Sequence, residues 1–229
     1  MGLQNRVDPF GRLIATPARG GWMGNRGLLH DAAQRIRRPF RLKAWLICRL
    51  AFKDRRRPVM APGRYTELFF LDEATALAAG HRPCAECRRP DYLRFKAAAE
   101  AGAGAAFPRA DDLDAALHAD RLAAAGGQRT FRARPCDLPD GAFVSLEGEP
   151  WLKQAGRLHR WTPSGYVEAR PIDGAEMDVL TPRLTVQAIE AGYTPQTSLS
   201  KILPIADGEG DHASRGGGVP RAFARDSGG

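Results

Sequence analysis

Cys84 and Cys87 are the residues of this 229-residue chain whose type and spacing point most directly to chemistry. The Cys-x-x-Cys spacing puts two thiols on one turn, which lets both sulfurs bind a single tetrahedral metal ion. The chain has 4 cysteines, too few for a disulfide scaffold at this length, which indicates metal or redox use in a reducing compartment. We predict a zinc site here; a redox pair or plain buried thiols is the alternative.

The elements that must position this turn are encoded in residues 69–90. Two phenylalanines end a predicted strand. Asp72 then suits the N-cap of a short helix, because its carboxylate can accept hydrogen bonds from amides of the first turn. Gly80 suits the left-handed residue that closes such a helix, and Pro83 prevents the helix from continuing. The sequence therefore predicts a strand, a short helix, a tight turn and then the metal-binding turn.

This stretch resembles a known zinc module in the motif that runs from Phe69-Phe70 through Ala78-Ala79-Gly80 to Arg82-Pro83-Cys84-x-x-Cys87-Arg88. The motif is similar to the zinc domain of the bacterial alkylation-response (Ada-type) DNA repair regulators, and small zinc modules appended to some nucleases carry a similar stretch. The whole chain also resembles a bacterial family with such a knuckle. The resemblance implies a zinc-bearing module that meets DNA, and it implies no particular reaction.

The resemblance also implies where the remaining zinc ligands should lie. In the Ada-type pattern they form a Cys-x-x-x-Cys pair on an upstream strand, and the nuclease-appended modules place a His at the first position. Cys48 lies on a comparable strand, but Ala44 stands four residues before it and Phe52 four residues after it. Cys48 is thus the implied third ligand, and the fourth is open. The candidates for the fourth ligand are His81, which we include in the predicted set as the local choice, His30, His118 and Cys136.

In the Ada-type repair domain, a zinc-bound thiolate accepts a methyl group from a DNA phosphotriester. Zinc makes such a thiolate a good nucleophile because the metal keeps it deprotonated at neutral pH. Cys48 is the residue to which the resemblance would assign this role. Its companion thiolate is absent, which lowers the negative charge of the complex and weakens the nucleophile. The sequence therefore disfavours methyl acceptance.

Positive charge is concentrated in the N-terminal part of the chain. The whole chain has 34 Lys and Arg against 26 Asp and Glu, a net charge of +8 and a pI near 9.8. Residues 1–64 alone contain 15 Lys and Arg and 3 Asp and Glu. Such a segment attracts polyanions, which predicts nucleic acid, DNA first, as the partner; solvated surface charge is the alternative. The predicted phosphate contacts are Arg26, Arg37, Arg38, Arg41, Lys43, Arg55, Arg56, Arg57, Arg88 and Arg89.

The predicted fold class is α+β. A zinc-knuckle domain with short strands and two or three helices should occupy residues 1–130, and a small β-rich meander should occupy residues 131–203. Alternation with period two predicts a strand over residues 45–52, and apolar residues at helical spacing predict two helices after the knuckle. The Gly-, Asp- and Ser-rich residues 204–229 predict a disordered tail.

The chain shows no sequence feature of export or membrane insertion. The N-terminus lacks the apolar run of a signal peptide, and no stretch approaches the ~20 apolar residues of a membrane span. We therefore expect a cytoplasmic protein without a membrane partner. The oligomeric state is open.

Taken together, these features predict a zinc-binding, nucleic-acid-binding protein that acts in DNA repair or processing. A zinc-dependent nuclease or other hydrolase is one alternative; His30-Asp31, His118 and Glu86 would be its general bases or ligands, and Arg26 would steady a phosphate. A protein-interaction module with structural zinc is the other. No catalytic residue is assigned, and whether the chain catalyses a reaction is open.

Overall fold

The structure, a computed structural model, describes residues 2–53 and 58–199. Within these residues the chain forms four α-helices and two six-stranded β-sheets, which confirms the predicted α+β class. The predicted disordered tail at residues 204–229 lies outside the described residues, as do the end of the predicted β-rich segment and three of the predicted phosphate contacts, Arg55, Arg56 and Arg57.

The first sheet consists of short strands from the N-terminal part of the chain. They are β1 (Gln4–Val7), β2 (Leu13–Ala15), β3 (Trp22–Asn25), β4 (Leu46–Cys48), β5 (Leu68–Phe70) and β6 (Arg82–Pro83). Their spatial order is β2-β1-β5-β3-β4-β6, with β1 and β5 parallel, β4 and β6 parallel and the other pairs antiparallel. The predicted strand over residues 45–52 is shorter in the structure, where β4 covers Leu46–Cys48 and pairs with β3 from Met23 to Asn25.

Three helices follow in the same part of the chain. They are α1 (Glu73–Ala78), α2 (Arg89–Ala103) and α3 (Ala110–Arg121). Asp72 caps α1 as predicted, since its carboxylate accepts a hydrogen bond from the Thr75 N–H at 2.9 Å. Gly80 follows α1 with a φ of 81°, a left-handed conformation that glycine adopts without strain.

The second sheet is an antiparallel meander. Its strands are β7 (Phe131–Ala133), β8 (Phe143–Leu146), β9 (Glu149–Gln154), β10 (Arg157–Thr162), β11 (Gly165–Pro171) and β12 (Met177–Val179), in the spatial order β11-β10-β9-β8-β12-β7. Two-residue turns at Glu147-Gly148 and Ala155-Gly156 join β8 to β9 and β9 to β10, and all four turn residues have positive φ. Such turns match the twist of the strands. A fourth helix, α4 (Arg183–Glu190), follows the sheet.

Helix α1 lies between two apolar cores, and all six of its residues are buried. Ala76 and Leu77 belong to the core formed by the first sheet with α2, α3 and α4. Ala74 and Ala78 belong to a second core that includes Phe143 of the second sheet. The small alanine side chains allow other elements to approach α1 closely on both sides.

Two acidic residues at the start of α1 bind the C-terminal part of the described chain. The Asp72 carboxylate accepts hydrogen bonds from the Tyr166 hydroxyl at 2.8 Å and from the Ser198 N–H at 2.9 Å. The neighbouring Glu73 accepts a hydrogen bond from the Tyr193 hydroxyl. These bonds join polar groups from distant parts of the sequence in a buried position, where an unpaired group would be costly.

The predicted division of the chain at residue 130 falls between α3 and β7. Each sheet lies on one side of this division, while α4 packs against α2 across it. The assignment of two separate domains stays a prediction. None of the helices formed by residues 2–53 and 58–199 is long and apolar enough to cross a membrane.

Candidate metal centre

Cys48 and Cys84 are brought together by the parallel pairing of β4 with β6. Ile47 lies opposite Pro83 in this ladder, and the Cys84 N–H donates a hydrogen bond to the Ile47 carbonyl at 2.9 Å. The next residue of each segment therefore lies beside the other. Backbone hydrogen bonding thus places two thiols that are far apart in the sequence next to each other.

Cys87 reaches the same place through the turn that leads into α2. The Arg88 N–H donates to the Cys84 carbonyl at 3.1 Å, which closes the turn. The Glu86 N–H points at the Cys84 sulfur, at 3.4 Å from Sγ. A backbone amide that donates to sulfur favours the thiolate form, which is the form that binds metal.

The three thiols form one compact group, which we call the cysteine cluster (Cys48, Cys84 and Cys87). Their Sγ atoms all lie within 4.8 Å of one another, and each residue is only 8% exposed. At a Zn–S distance of ~2.3 Å, the sulfurs of a tetrahedral site lie about 3.8 Å apart, which is close to this spacing. The cysteine cluster could therefore hold a metal ion, and Cys48 belongs to it as predicted.

Hydrogen bonds within the cluster divide the protons unequally. The pKa of Cys84 is lowered, first by the Cys48 thiol, then by the Cys87 thiol and backbone amides that donate to its sulfur. The pKa of Cys48 is raised, because its thiol donates to Cys84 and Cys87 and because it is buried. The hydrogen bond with Cys48 lowers the pKa of Cys87, but the bond with Cys84 and burial outweigh it, so this pKa is raised. The cluster alone therefore favours one thiolate, at Cys84.

The surroundings of the cluster are apolar on one side and open on another. Met23, Leu46 and Phe52 pack against the three cysteines. Phe52 thus contributes an aromatic ring beside the thiols. A cavity of about 650 Å³ lies beside the thiols. The polar residues that line this cavity are Arg49, Arg64, Tyr65, Glu67 and Glu86.

The structure does not bring His81, the predicted local fourth ligand, to the cluster. Its Nε2 accepts a hydrogen bond from Arg26 Nε at 3.1 Å, and its ring packs against Phe70 and Trp45. Cys84 lies three positions after His81 along an extended segment, and side chains at an odd spacing in such a segment point to opposite faces. Burial and nearby arginines lower the His81 pKa well below its ordinary value of 6.5, so the ring is neutral.

The other candidate fourth ligands also lie elsewhere. His30 Nδ1 lies 2.6 Å from the Thr66 hydroxyl, and His118 Nδ1 lies 2.8 Å from Nη2 of Arg121. Cys136 is exposed, on a short 3₁₀ turn. Among the described residues, no further His, Cys, Asp or Glu joins the cluster.

His30 and Asp31 do not form the catalytic pair that a hydrolase would need. His30 is buried against Thr66, whereas the Asp31 carboxylate binds Arg35 at 3.1 Å and Arg37 at 2.8 Å. The pKa of Asp31 is lowered to about 2, first by the Arg35 backbone amide and then by the two guanidinium groups. The adjacent side chains therefore serve separate structural contacts.

The predicted phosphate contacts fall into an exposed group and a buried group. Five of them are exposed: Arg37, Arg38, Arg41, Lys43 and Arg89. Four of these five lie in residues 35–43, which we call the basic segment. Arg37 pairs with Asp31, whereas no carboxylate of the described residues lies within ion-pair distance of Arg38, Arg41 or Lys43. The basic segment therefore presents three uncompensated cations to solvent.

Arg26 and Arg88 do not belong to that exposed surface, because the fold encloses both side chains. Each residue is 1% exposed. Arg88 forms ion pairs with Glu73 at 2.8 Å and with Asp91 at 2.8 Å. Its charge is therefore neutralised within the protein, and its role is structural.

Sequence reasoning did not single out Arg121, which the structure buries against Trp45. It is 2% exposed, and its guanidinium stacks on the Trp45 ring at 3.9 Å, as that of Arg26 also does. A cation in the last turn of a helix ordinarily indicates a solvated contact with the helix dipole. No local signal in the sequence therefore distinguished it.

Comparison of this chain with known protein families, curated proteins and solved structures finds no match. The Ada-type resemblance therefore rests on the residues of the knuckle, and no relative supplies a function. The geometry of the cysteine cluster and the distribution of charge are what a functional proposal can use.

Proposed function

We propose that this chain binds one zinc ion and binds nucleic acid, DNA first, as a protein of DNA repair or processing in a reducing compartment such as the cytoplasm. The metal part is carried by one observation: three buried thiols, from Cys48, Cys84 and Cys87, converge within 4.8 Å. Zinc suits this donor set, because it is commonly bound by thiolates in tetrahedral geometry. The Ada-type resemblance supports the same metal.

A bound zinc would act first as a cross-link. Cys48 ends β4, and Cys84 and Cys87 belong to the turn that opens α2. A metal held by all three would fasten the turn to the first sheet, next to the apolar side chains of Met23, Leu46 and Phe52. Metal binding of this kind contributes directly to folding free energy, because the site does not exist in the unfolded chain.

The basic segment supports the nucleic-acid part of the proposal. Arg38, Arg41 and Lys43 are exposed and have no carboxylate partner among the described residues, so their charges are available to phosphates. Phosphate neutralisation supplies most of the affinity of non-specific nucleic-acid binding and makes it dependent on salt.

Metal analysis of the purified protein tests the zinc assignment. We expect stoichiometric zinc in the wild-type protein and its loss in Cys48→Ser, Cys84→Ser and Cys87→Ser. Cys136→Ser is the matched control, because Cys136 is exposed and lies outside the cluster; it should retain the metal. Wild-type protein that takes up no zinc after anaerobic preparation with zinc supplied would refute the assignment.

Fluorescence anisotropy with labelled DNA, measured between about 50 and 200 mM salt, tests the nucleic-acid part. The triple variant R38A/R41A/K43A should bind more weakly and should reduce the slope of log affinity against log salt by about 2.7 on duplex DNA. The control R132A/R157A/R170A removes the same charge from the second sheet and should leave most of the slope. Equal slopes for the two triple variants would show that the basic segment is not the contact surface.

The cavity beside the cysteine cluster favours a second candidate function, metal-dependent hydrolysis. A zinc ion with three protein ligands keeps a position for water and lowers the pKa of that water. Glu86 lines the cavity and would be within the same space as the substrate. Glu86→Gln should then retain zinc and lose hydrolysis of an oligonucleotide. If the zinc-bound wild-type protein hydrolyses no oligonucleotide, this second function is refuted and zinc has a structural role only.

A further inference from the structure

A second cavity, of about 480 Å³, is lined in part by Trp45, and we call it the Trp45 pocket. It is enclosed by the β1–β2 connection, the basic segment and the segment that follows α3. Its volume lies within the range of small-molecule sites in proteins. Arg26 and Arg121 are the most buried residues of its lining, at 1% and 2% exposure.

The two arginines of this pocket have no carboxylate partner among the described residues. Arg26 donates to His81 Nε2 at 3.1 Å and to the Gly11 carbonyl at 3.0 Å. Arg121 donates to the carbonyls of Gly80 and Lys43 and to a ring nitrogen of His118. All of these acceptors are neutral, because the His81 ring is uncharged and the others are carbonyl groups or an imidazole of lowered pKa.

The rest of the fold treats buried arginines differently. Arg82 is 3% exposed and binds Asp114 through two hydrogen bonds, at 2.8 and 2.6 Å, and Arg88 pairs with Glu73. Neither guanidinium group contacts a carboxylate among the described residues; Asp8 attracts Arg26 and Asp114 attracts Arg121 only from beyond ion-pair distance. A buried charge without a contacting partner is unfavourable. Burial, together with the charge of Arg121, lowers the pKa of Arg26 to about 9, and burial lowers the pKa of Arg121 to about 9 as well.

Hydrogen-bonding groups in the pocket remain unused. Arg26 Nη2, Arg121 Nε and Gln128 Oε1 are buried and have no hydrogen-bond partner among the described residues. Arg26 Nη2 lies on the side of Gly11, a pocket residue, where a Cβ atom would come within 3.7 Å of it. The wall of the pocket thus holds two cationic donors and one acceptor that lack a partner among the described residues.

The remaining walls are apolar and partly aromatic. Phe10, Leu13, Ile36 and Phe40 line the pocket together with the Trp45 ring. The exposed side chain of Arg38, which has no carboxylate partner, stands at the rim. A ligand that satisfies these features carries an anionic group of several oxygens and a flat, weakly polar ring with a hydrogen-bond donor. Phosphate and a nucleobase have these properties.

We propose that the Trp45 pocket binds a nucleotide, with the phosphate toward Arg26 and Arg121 and the base against the apolar wall. The nucleotide is either a free nucleoside monophosphate or the phosphorylated end of a bound strand. In the second case the inference rests on the proposed function, because the basic segment that lines the pocket is also the proposed nucleic-acid surface.

Isothermal titration calorimetry with the four deoxynucleoside 5′-monophosphates tests this proposal directly. We expect at least one of them to bind, and to bind about tenfold or more tightly than either inorganic phosphate or the matching nucleoside, because the pocket contacts both parts. Wild-type protein that binds none of the four at millimolar concentration overturns the proposal. So does equal affinity for nucleotide and nucleoside, because the arginines would then contribute nothing.

Variants locate the site. Arg26→Met should weaken nucleotide binding about tenfold or more, while metal content stays that of the wild type. Arg121→Met serves if Arg26→Met does not fold, as judged by circular dichroism. Arg157→Met, an exposed arginine on the second sheet, is the control and should leave binding unchanged. A folded variant at either pocket position with wild-type affinity overturns the proposal.

A comparison of 5′-phosphorylated and 5′-hydroxyl oligonucleotides separates the two sources. Preference for the phosphorylated strand, with competition by the free nucleotide, assigns the pocket to a strand end. Nucleotide binding without any oligonucleotide binding supports the pocket and refutes the proposed function. Salt-dependent oligonucleotide binding without nucleotide binding or competition supports the proposed function and overturns the pocket.

Discussion

The cysteine cluster and the Trp45 pocket lie at the two ends of one three-residue strand, β4. Cys48 ends the strand, and Trp45 directly precedes it. The first site gathers three groups that become anionic and suit a cation, whereas the second gathers two cations and suits an anion. The three cysteines come from a local motif plus one strand, but the arginines come from segments that meet only in the folded chain.

The contrast between the two sites shows that burial can give a charged residue a different role from the one that its sequence context predicts. Arg26 was expected at the surface, and the fold encloses it beside a second arginine and a neutral histidine. The thiols of Cys84 and Cys87, in contrast, were expected on one compact turn beside the strand of Cys48, and the structure places all three together. A motif predicts its own geometry, while a single charged residue does not.

Metal removal tests the cysteine cluster, and we expect it to have the largest effect on thermal stability. Chelation of the zinc-bound protein should lower Tm by roughly 10 °C or more, since structural zinc contributes several kcal/mol. Differential scanning calorimetry of the holo-protein with and without chelator measures it. The zinc-free variant Cys84→Ser should show no further decrease with chelator; a holo-protein whose Tm does not respond would show that the metal is not structural.

Replacement of buried arginines with and without a carboxylate partner tests the arginines of the Trp45 pocket. Arg82→Met should lower the free energy of unfolding by about 3–5 kcal/mol, because it leaves the buried Asp114 carboxylate without its partner. Arg26→Met removes a charge that lacks a carboxylate partner, so its effect should stay within about 1 kcal/mol in either direction. Urea denaturation of both variants gives the two values, and equal losses would contradict the distinction between them.

Glycine substitutions test how closely Arg121 packs. A Cβ at residue 80 would lie 2.6 Å from Arg121 Cδ, whereas a Cβ at Gly104 would meet no atom within 4 Å; both glycines have positive φ. Gly80→Ala should therefore destabilise the protein by about 1–3 kcal/mol more than Gly104→Ala. Thermal or urea unfolding compares them, with Gly104→Ala as the matched control. A Gly104→Ala variant as unstable as Gly80→Ala would mean that backbone strain alone accounts for both.

The smallest expected effect is the change in the free energy of unfolding with pH that His81 causes. The folded-state pKa of His81 lies well below 6.5, because burial and the charges of Arg26 and Arg121 oppose protonation. Below pH 6.5 the unfolded chain therefore binds a proton that the folded chain does not, so stability falls as the pH falls, by at most about 1.4 kcal/mol per pH unit. Urea denaturation across this range measures the decrease.

His81→Gln is the control for this pH dependence. The pKa values of His118 and His159 are lowered as well, so their contributions remain in the variant and cancel in the difference. Above pH 6.5 the free energies of unfolding of the wild type and the variant should change with pH at the same slope. Below pH 6.5 the free energy of unfolding of the wild type should fall more steeply than that of the variant. Parallel curves at all pH values would show that the pKa of His81 is not lowered in the folded protein.

Much of the fold could be predicted from the sequence, because the signals were local. The Asp72 cap, the left-handed Gly80 and the turn at Glu147-Gly148 each depend on a few neighbouring residues, and each appears in the structure. For the same reason, the sequence could predict that Cys84 and Cys87 belong to a group able to hold a metal ion.

The remaining features could not be read locally. His81 is close to Cys84 in sequence, yet strand alternation directs it to the arginines. Arg121 meets Gly80 and Lys43 only through tertiary packing, across long separations in the chain. Net charge predicted a basic surface but could not reveal which arginines the core would enclose.

Helix α1 has a consequence for how the molecule opens. All six of its residues are buried, and four of them belong to the two apolar cores. The carboxylates of Asp72 and Glu73 bind groups from near the C-terminal end of the described chain. Opening either core therefore removes packing from the other. The amide protons of α1 should exchange with solvent deuterium only as fast as the whole chain unfolds, and both sheets should melt in a single transition.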